Sequence, residues 1–129
     1  MKEFARRVEG EGRRRVWCIP VWIGDDIILC IGGGDKPHIG AVSISLPYRK
    51  EGGRWAVSTS TFTIPSHRDN VLTRLLAEKV SKKTGKRVVV VGGVHIDGAS
   101  REDIEEVIRN TCKLAEGIAA ELGLSLIHI

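Results

Sequence analysis

Four histidines stand in this chain of 129 residues, and three of them fall beside residues that bend or cap a backbone. His38 closes Lys36-Pro37-His38 inside the glycine-bearing segment Gly32 to Gly40, His67 follows Ser66, and His95 follows Gly92-Gly93-Val94. Imidazole donates, accepts or ligates near neutral pH, and junctions held by a rigid scaffold are where such groups can be aimed. Two chemistries follow. In the first, the glycines allow close backbone approach, free amides at Gly33 and Gly34 form an anion nest, and Lys36 adds charge. Ser66-His67-Arg68-Asp69 and Ser100-Arg101 add two helix starts, which favour anions. That set suits a phosphorylated ligand, with Asp97 two residues beyond His95. In the second, His38, His67 and His95, with Asp69 or Asp97, ligate a divalent metal such as Zn or Fe, as in a small metal-dependent enzyme. A plain reading competes with both. A wide turn and ordinary caps account for the glycines, Ser66, Asp69, Ser100 and Asp103, though they leave His67 and Arg68 without a role.

Other chemistries lack their residues. The glycine segment has no GK[ST] ending, so it is no phosphate loop of the nucleotide-hydrolase kind, and its spacing is not a dinucleotide fingerprint. No nucleophile elbow occurs, nor any Cys- or Ser-centred signature, so a non-catalytic protein is expected. Cys18, Cys30 and Cys112 are far apart and odd in number, which points to reduced thiols.

These residues must be positioned by elements whose pattern changes midway. Residues 16–23, 27–31, 41–46 and 54–64 read as strands with short connections, hence an antiparallel meander. Pro20 suggests an edge or a bulge in the first of them. Ser66 then caps a helix with a stripe of Val71, Leu72, Leu75, Leu76 and Val80, stopped by Gly85. Residues 87–91 are a buried strand. Ser100 and Asp103 open a second helix, whose stripe runs from Ile104 through Val107, Ile108, Thr111, Leu114, Ala115 and Ile118 to Leu122. For residues 125–129 a short strand and the absence of fixed structure both stay open. The order strands, helix, strand, helix predicts an α+β fold, two helices on one face of a mainly antiparallel sheet.

Taken together and in this order, GGGDKPHIGAVS (32–43), PSHRD (65–69) and GVHIDGAS (93–100) resemble the LpdD-like prenylated flavin chaperone family, small accessory proteins of UbiD-type decarboxylases. The resemblance spans roughly residues 16 to 120 and leaves the Arg-rich first fifteen outside. It implies a cofactor carrier that binds prenylated flavin mononucleotide, or FMN itself, and assists its delivery to or maturation in a UbiD-like decarboxylase. The implied cofactor-binding set is Gly33, Gly34, Lys36, Pro37, His38, Ser66, His67, Arg68, His95 and Asp97. Trp17, Trp22, Trp55 and aliphatic side chains are the candidates for the ring's flat faces.

Composition sets the remaining bounds. One domain, residues 1–129, is expected from the length, and 42% hydrophobic with 28% charged residues is ordinary for a globular chain. The apolar runs are too short to span a bilayer, and no leader-like segment opens the chain. A cytoplasmic protein is expected, with a homodimer or higher homo-oligomer built on a sheet edge. The formal charge is +4, with basic clusters at Arg6 to Arg15 and Lys82 to Arg87. Interleaved Glu3, Glu9 and Glu11, few aromatics and no nucleic-acid motif argue against a nucleic-acid partner.

Overall fold

The computed structural model describes residues 6–65 and 69–127. A short β1 (Arg7–Glu9) and one 3-10 turn (Gly12–Arg14) lead into β2 (Val16–Ile23), β3 (Asp26–Gly34), β4 (Ala41–Arg49) and β5 (Trp55–Thr63). Then come α1 (Asn70–Thr84), β6 (Val88–His95) and α2 (Arg101–Ile127). The fold is α+β, as the pattern predicts.

The strands form one six-stranded sheet in the order β1-β2-β3-β6-β4-β5. Every neighbouring pair is antiparallel except β3 and β6. The expected meander is therefore interrupted, because β6 enters between β3 and β4. Its four consecutive valines suit a strand flanked on both sides by others. Such a pairing joins residues about sixty apart in the chain (Leu29 with Val90, for example) and leaves no local signature. Among the described residues β2 has no β1 partner beyond Cys18, so there Pro20 pairs only with Leu29 of β3.

Both helices pack on one face of the sheet. Alternate residues Ile27, Leu29 and Ile31 of β3 and Val88 and Val90 of β6 point into that layer and are buried. They meet Leu76 and Val80 of α1 and Leu114, Ile118 and Leu122 of α2. The α2 stripe is buried from Val107 onward except at the half-buried Ile108, and the helix continues to Ile127, so most of the tail is helical rather than a strand. Ser100 and Asp103 close a reciprocal capping box: the Ser100 amide donates to Asp103 Oδ2 at 2.9 Å and the Asp103 amide to Ser100 Oγ at 3.0 Å. Gly85 ends α1 in the left-handed conformation, φ 69°, its amide bonded to the Ser81 carbonyl.

Two local expectations change. Gly32, Gly33 and Gly34 belong to β3, not to a loop, and pair with Gly93, Val94 and His95 of β6. The reason is close packing: a Cβ on Gly32 would lie 2.2 Å from the Trp17 ring, and one on Gly33 2.1 Å from the Arg15 carbonyl oxygen. Nor is there an open amide nest here. The Gly34 amide donates to Arg15, and those of Asp35 and Lys36 donate to the His95 carbonyl. Second, α1 begins at Asn70, and Asp69 makes no side-chain bond to its own helix. The expected cap Ser66 lies outside the described residues, as do His67 and Arg68.

Candidate functional site

Where the C-terminal end of β6 meets the first turns of α1 and α2, the layers part around a cavity of about 410 Å³. Its walls are mostly aliphatic. Val71 and Leu72 come from α1, Val94 and Ile96 from the end of β6 and just beyond, and Ile104, Val107 and Ile108 from α2. Val71 and Ile104 are about half exposed, although each opens an apolar helical stripe. Both line the cavity rather than the closed core.

One corner is polar, and Asp69 organises it. This carboxylate is 5% exposed. Its Oδ1 accepts the Val94 amide at 2.9 Å, and its Oδ2 lies 3.0 Å from His38 Nε2. Room for it comes from two glycines. A Cβ on Gly40 would lie 1.9 Å from Asp69 Oδ2, and one on Gly93 2.7 Å from its Cγ. The other nitrogen of His38, Nδ1, lies 3.1 Å from the Lys36 carbonyl oxygen. Both ring nitrogens thus face oxygens. His38 and His95 stand edge to face, their ring centres 6.1 Å apart.

Beside the cavity a second polar chain holds His95. Its Nε2 lies 2.9 Å from Asp97 Oδ1, and the Asp97 amide donates to Asp35 Oδ2 at 2.9 Å. Arg13 grips Asp35 with two nitrogens, Nε at 3.1 Å and Nη2 at 2.8 Å, and also donates to the Asp97 carbonyl. That guanidinium, helped by the Asp97 amide, lowers the Asp35 carboxyl to about 2. Lys36 Nζ is 3.9 Å from Asp97 Oδ1. The adjoining Arg14 binds Asp103 at 2.8 Å and so ties the 3-10 turn to the start of α2. The arrangement can hold hydrogen-bonding groups at one end of an apolar slot.

Of the expected ligand set, His38 and His95 converge, with Lys36 and Pro37 on the adjoining loop and Asp97 against His95. Gly33 and Gly34 stand within the sheet. Ser66, His67 and Arg68 lie outside the described residues, although Asp69, the next in sequence, lines the cavity. Among the described residues no group of three His, Cys, Asp or Glu side chains is gathered as a metal ion requires. The three tryptophans do not line the cavity. Trp17 lies over Gly32 beneath Arg6, Trp22 under Lys86, and Trp55 between Gly85 and Arg49. Sequence reasoning offered Asp69 as a helix cap or a metal ligand, not as the carboxylate that fixes His38 and the Val94 amide. It missed Arg13, because an Arg-rich run among glutamates reads as solvated surface.

No helix among the described residues is long and apolar enough to cross a membrane. No curated protein matches the chain. A family model, the prenylated flavin chaperone LpdD-like domain, matches residues 10–123. The match takes in every residue of the cavity and, contrary to the expectation that it would start near residue 16, Arg13 to Arg15 as well. With that span, the chain belongs to the prenylated flavin chaperone LpdD-like domain family.

Proposed function

We propose that this protein binds prenylated flavin mononucleotide in the cavity between the two helix starts and passes it to a UbiD-like decarboxylase, without itself catalysing a reaction. The observation that carries the reading is the cavity's division into aliphatic walls and one fixed polar corner. A prenylated flavin has the same division: a flat, largely apolar ring system with hydrogen-bonding atoms along one edge, and a phosphate at the end of a polar chain. About 410 Å³ lies within the usual range of roughly 300–1,000 Å³ for small-molecule sites. In this reading Val71, Ile104 and Ile108 cover the ring, and the half-exposed side chains at the mouth gain the cover they lack. His38 and His95 meet polar ring atoms, with Asp69 fixing the first and Asp97 the second. Lys36 attracts the phosphate, and Ser66, His67 and Arg68, next in sequence to Asp69, join it.

The fit also suits a carrier. Aliphatic walls and a few neutral or single-charge hydrogen bonds give moderate affinity, and the open mouth allows release. Anaerobic titration of the full chain with prenylated FMN, followed by fluorescence, tests the reading. His38→Ala and Val71→Asp are each expected to weaken binding by about tenfold or more, the loss of one good hydrogen bond or the burial of a charge. Unchanged affinity in both would remove the cavity from the account. His67→Ala and Arg68→Ala are expected to weaken it too, and loss there without loss at His38 would move the site to the chain before α1.

A further inference from the structure

The face of the sheet that the helices leave bare is apolar from one side to the other. Strand register aligns two rows across five strands. One runs Ile19, Cys30, Val91, Val42, Phe62, and the next runs Val21, Ile28, Val89, Ile44, Ser60. No charged side chain falls in either row. Phe62 is 76% exposed, and Ile19, Val21 and Ile44 between 37% and 45%. Ile23, Leu46 and Tyr48 extend the face along the strands and are more exposed still. Uncovered apolar patches of more than a few hundred Å² mark interfaces in soluble proteins.

We infer that this face is covered by the same face of a second copy, giving a two-fold dimer in which two sheets stack back to back. Three features favour a second copy over another partner. A two-fold interface must be complementary to itself, and a flat aliphatic surface with its charges confined to the two ends of the strands, Arg6 over Trp17 at one and Asp26 paired with Arg87 at the other, is. Its size is sufficient. Five strands at about 4.8 Å spacing, over about 20 Å of strand length, present roughly 500 Å² per copy in projection. A pair then buries at least roughly 1,000 Å², where stable interfaces begin. Its composition is that of a permanent contact, since transient interfaces are more polar. The expected sheet-edge dimer, through β1 or β5, would leave this apolar face uncovered. In the stacked dimer both cavities lie on the outer, helical sides. Neither copy completes the other's site, and each remains open to a ligand. This inference does not depend on what the cavity binds.

Sedimentation equilibrium of the full chain at about 20 μM tests it. The expected mass is twice the 14.1 kDa of one chain. Phe62→Asp and Ile44→Asp, each burying a carboxylate in the contact, are expected to raise the dissociation constant at least about 30-fold, with the far-UV circular dichroism of a folded chain. A monomeric wild type overturns the inference, as does a dimer that survives both substitutions. Should the variants fail to fold, the wild type still decides through its thiols. Alkylation of Cys30, on the face, should slow as protein concentration rises while that of Cys112, on α2, stays constant. Equal behaviour of the two sites overturns the proposal.

Discussion

The pattern Ser-x-x-Asp stands twice in this sequence, at 66–69 ahead of α1 and at 100–103 across the start of α2, and the two aspartates have opposite fates. At α2, Asp103 turns back to the Ser100 amide, takes a second bond from Arg14, and closes the box. At α1, Asp69 turns away from its helix, reaches the Val94 amide across the layer, and holds His38. One carboxylate is a local stop and the other builds a site. What separates them is not on their helices. Gly40 and Gly93 leave a recess only a carboxylate's width from Asp69, whereas Asp103 faces the 3-10 turn and its arginines. Local motifs state what a residue is able to do, and the space left by distant residues decides which option is used.

The contrast is breakable. The largest effect is expected from Asp69→Ala. It leaves the half-buried Val94 amide without its acceptor, at a cost of about 2 kcal/mol, and removes the carboxylate that holds His38 Nε2, so cofactor affinity falls by at least about tenfold. Urea unfolding and titration measure the two. Gly40→Ala comes next. Its added methyl displaces the carboxylate, with overpacking costs of about 1–3 kcal/mol and a parallel loss of affinity. Wild-type affinity in this variant would show that the recess does not position the site. Ser100→Ala sharpens the comparison from the other side. Loss of the cap costs about 1 kcal/mol, and cofactor affinity is expected to stay within about twofold. A matching loss of affinity would mean the two helix starts act as one.

The smallest effect is in pH. Asp35 and Asp103 are both held near 2, below the ordinary 3.8, by hydrogen bonds from Arg13 and from the Ser100 amide with Arg14. As pH falls, the unfolded chain takes up protons first. The stability these groups give is therefore complete above about pH 5 and is lost as pH drops through about 2. Arg13→Gln is expected to lower the Tm at pH 7, with the gap to wild type closing towards pH 2. A gap independent of pH would assign the Arg13 contribution to packing instead.

Much of this frame was legible in the residues. The periods of 2 and 3.6, the Gly85 stop and the Ser100 box marked elements that the structure contains. Of the three histidines expected to share a pocket, His38 and His95 lie side by side, His38 on the loop between β3 and β4 and His95 at the end of β6, while His67 lies outside the described residues. Three features were not legible. Gly32 to Gly34 read as a loop because glycine carries no strand preference, but β3 needs it there so that Trp17 and the Arg15 backbone can approach. The insertion of β6 between β3 and β4 is a pairing of distant segments. The aliphatic walls read as core stripe, since Val71 and Ile104 fit the helical period whether they face the core or a cavity.

The most direct test of the central claim is a crystal structure of the full chain grown with prenylated FMN. The account predicts the ring system between Val71, Ile104 and Ile108, with a polar ring atom within about 3.5 Å of His38 or His95. A cofactor seated on another surface, with the Asp69 corner untouched, would contradict it.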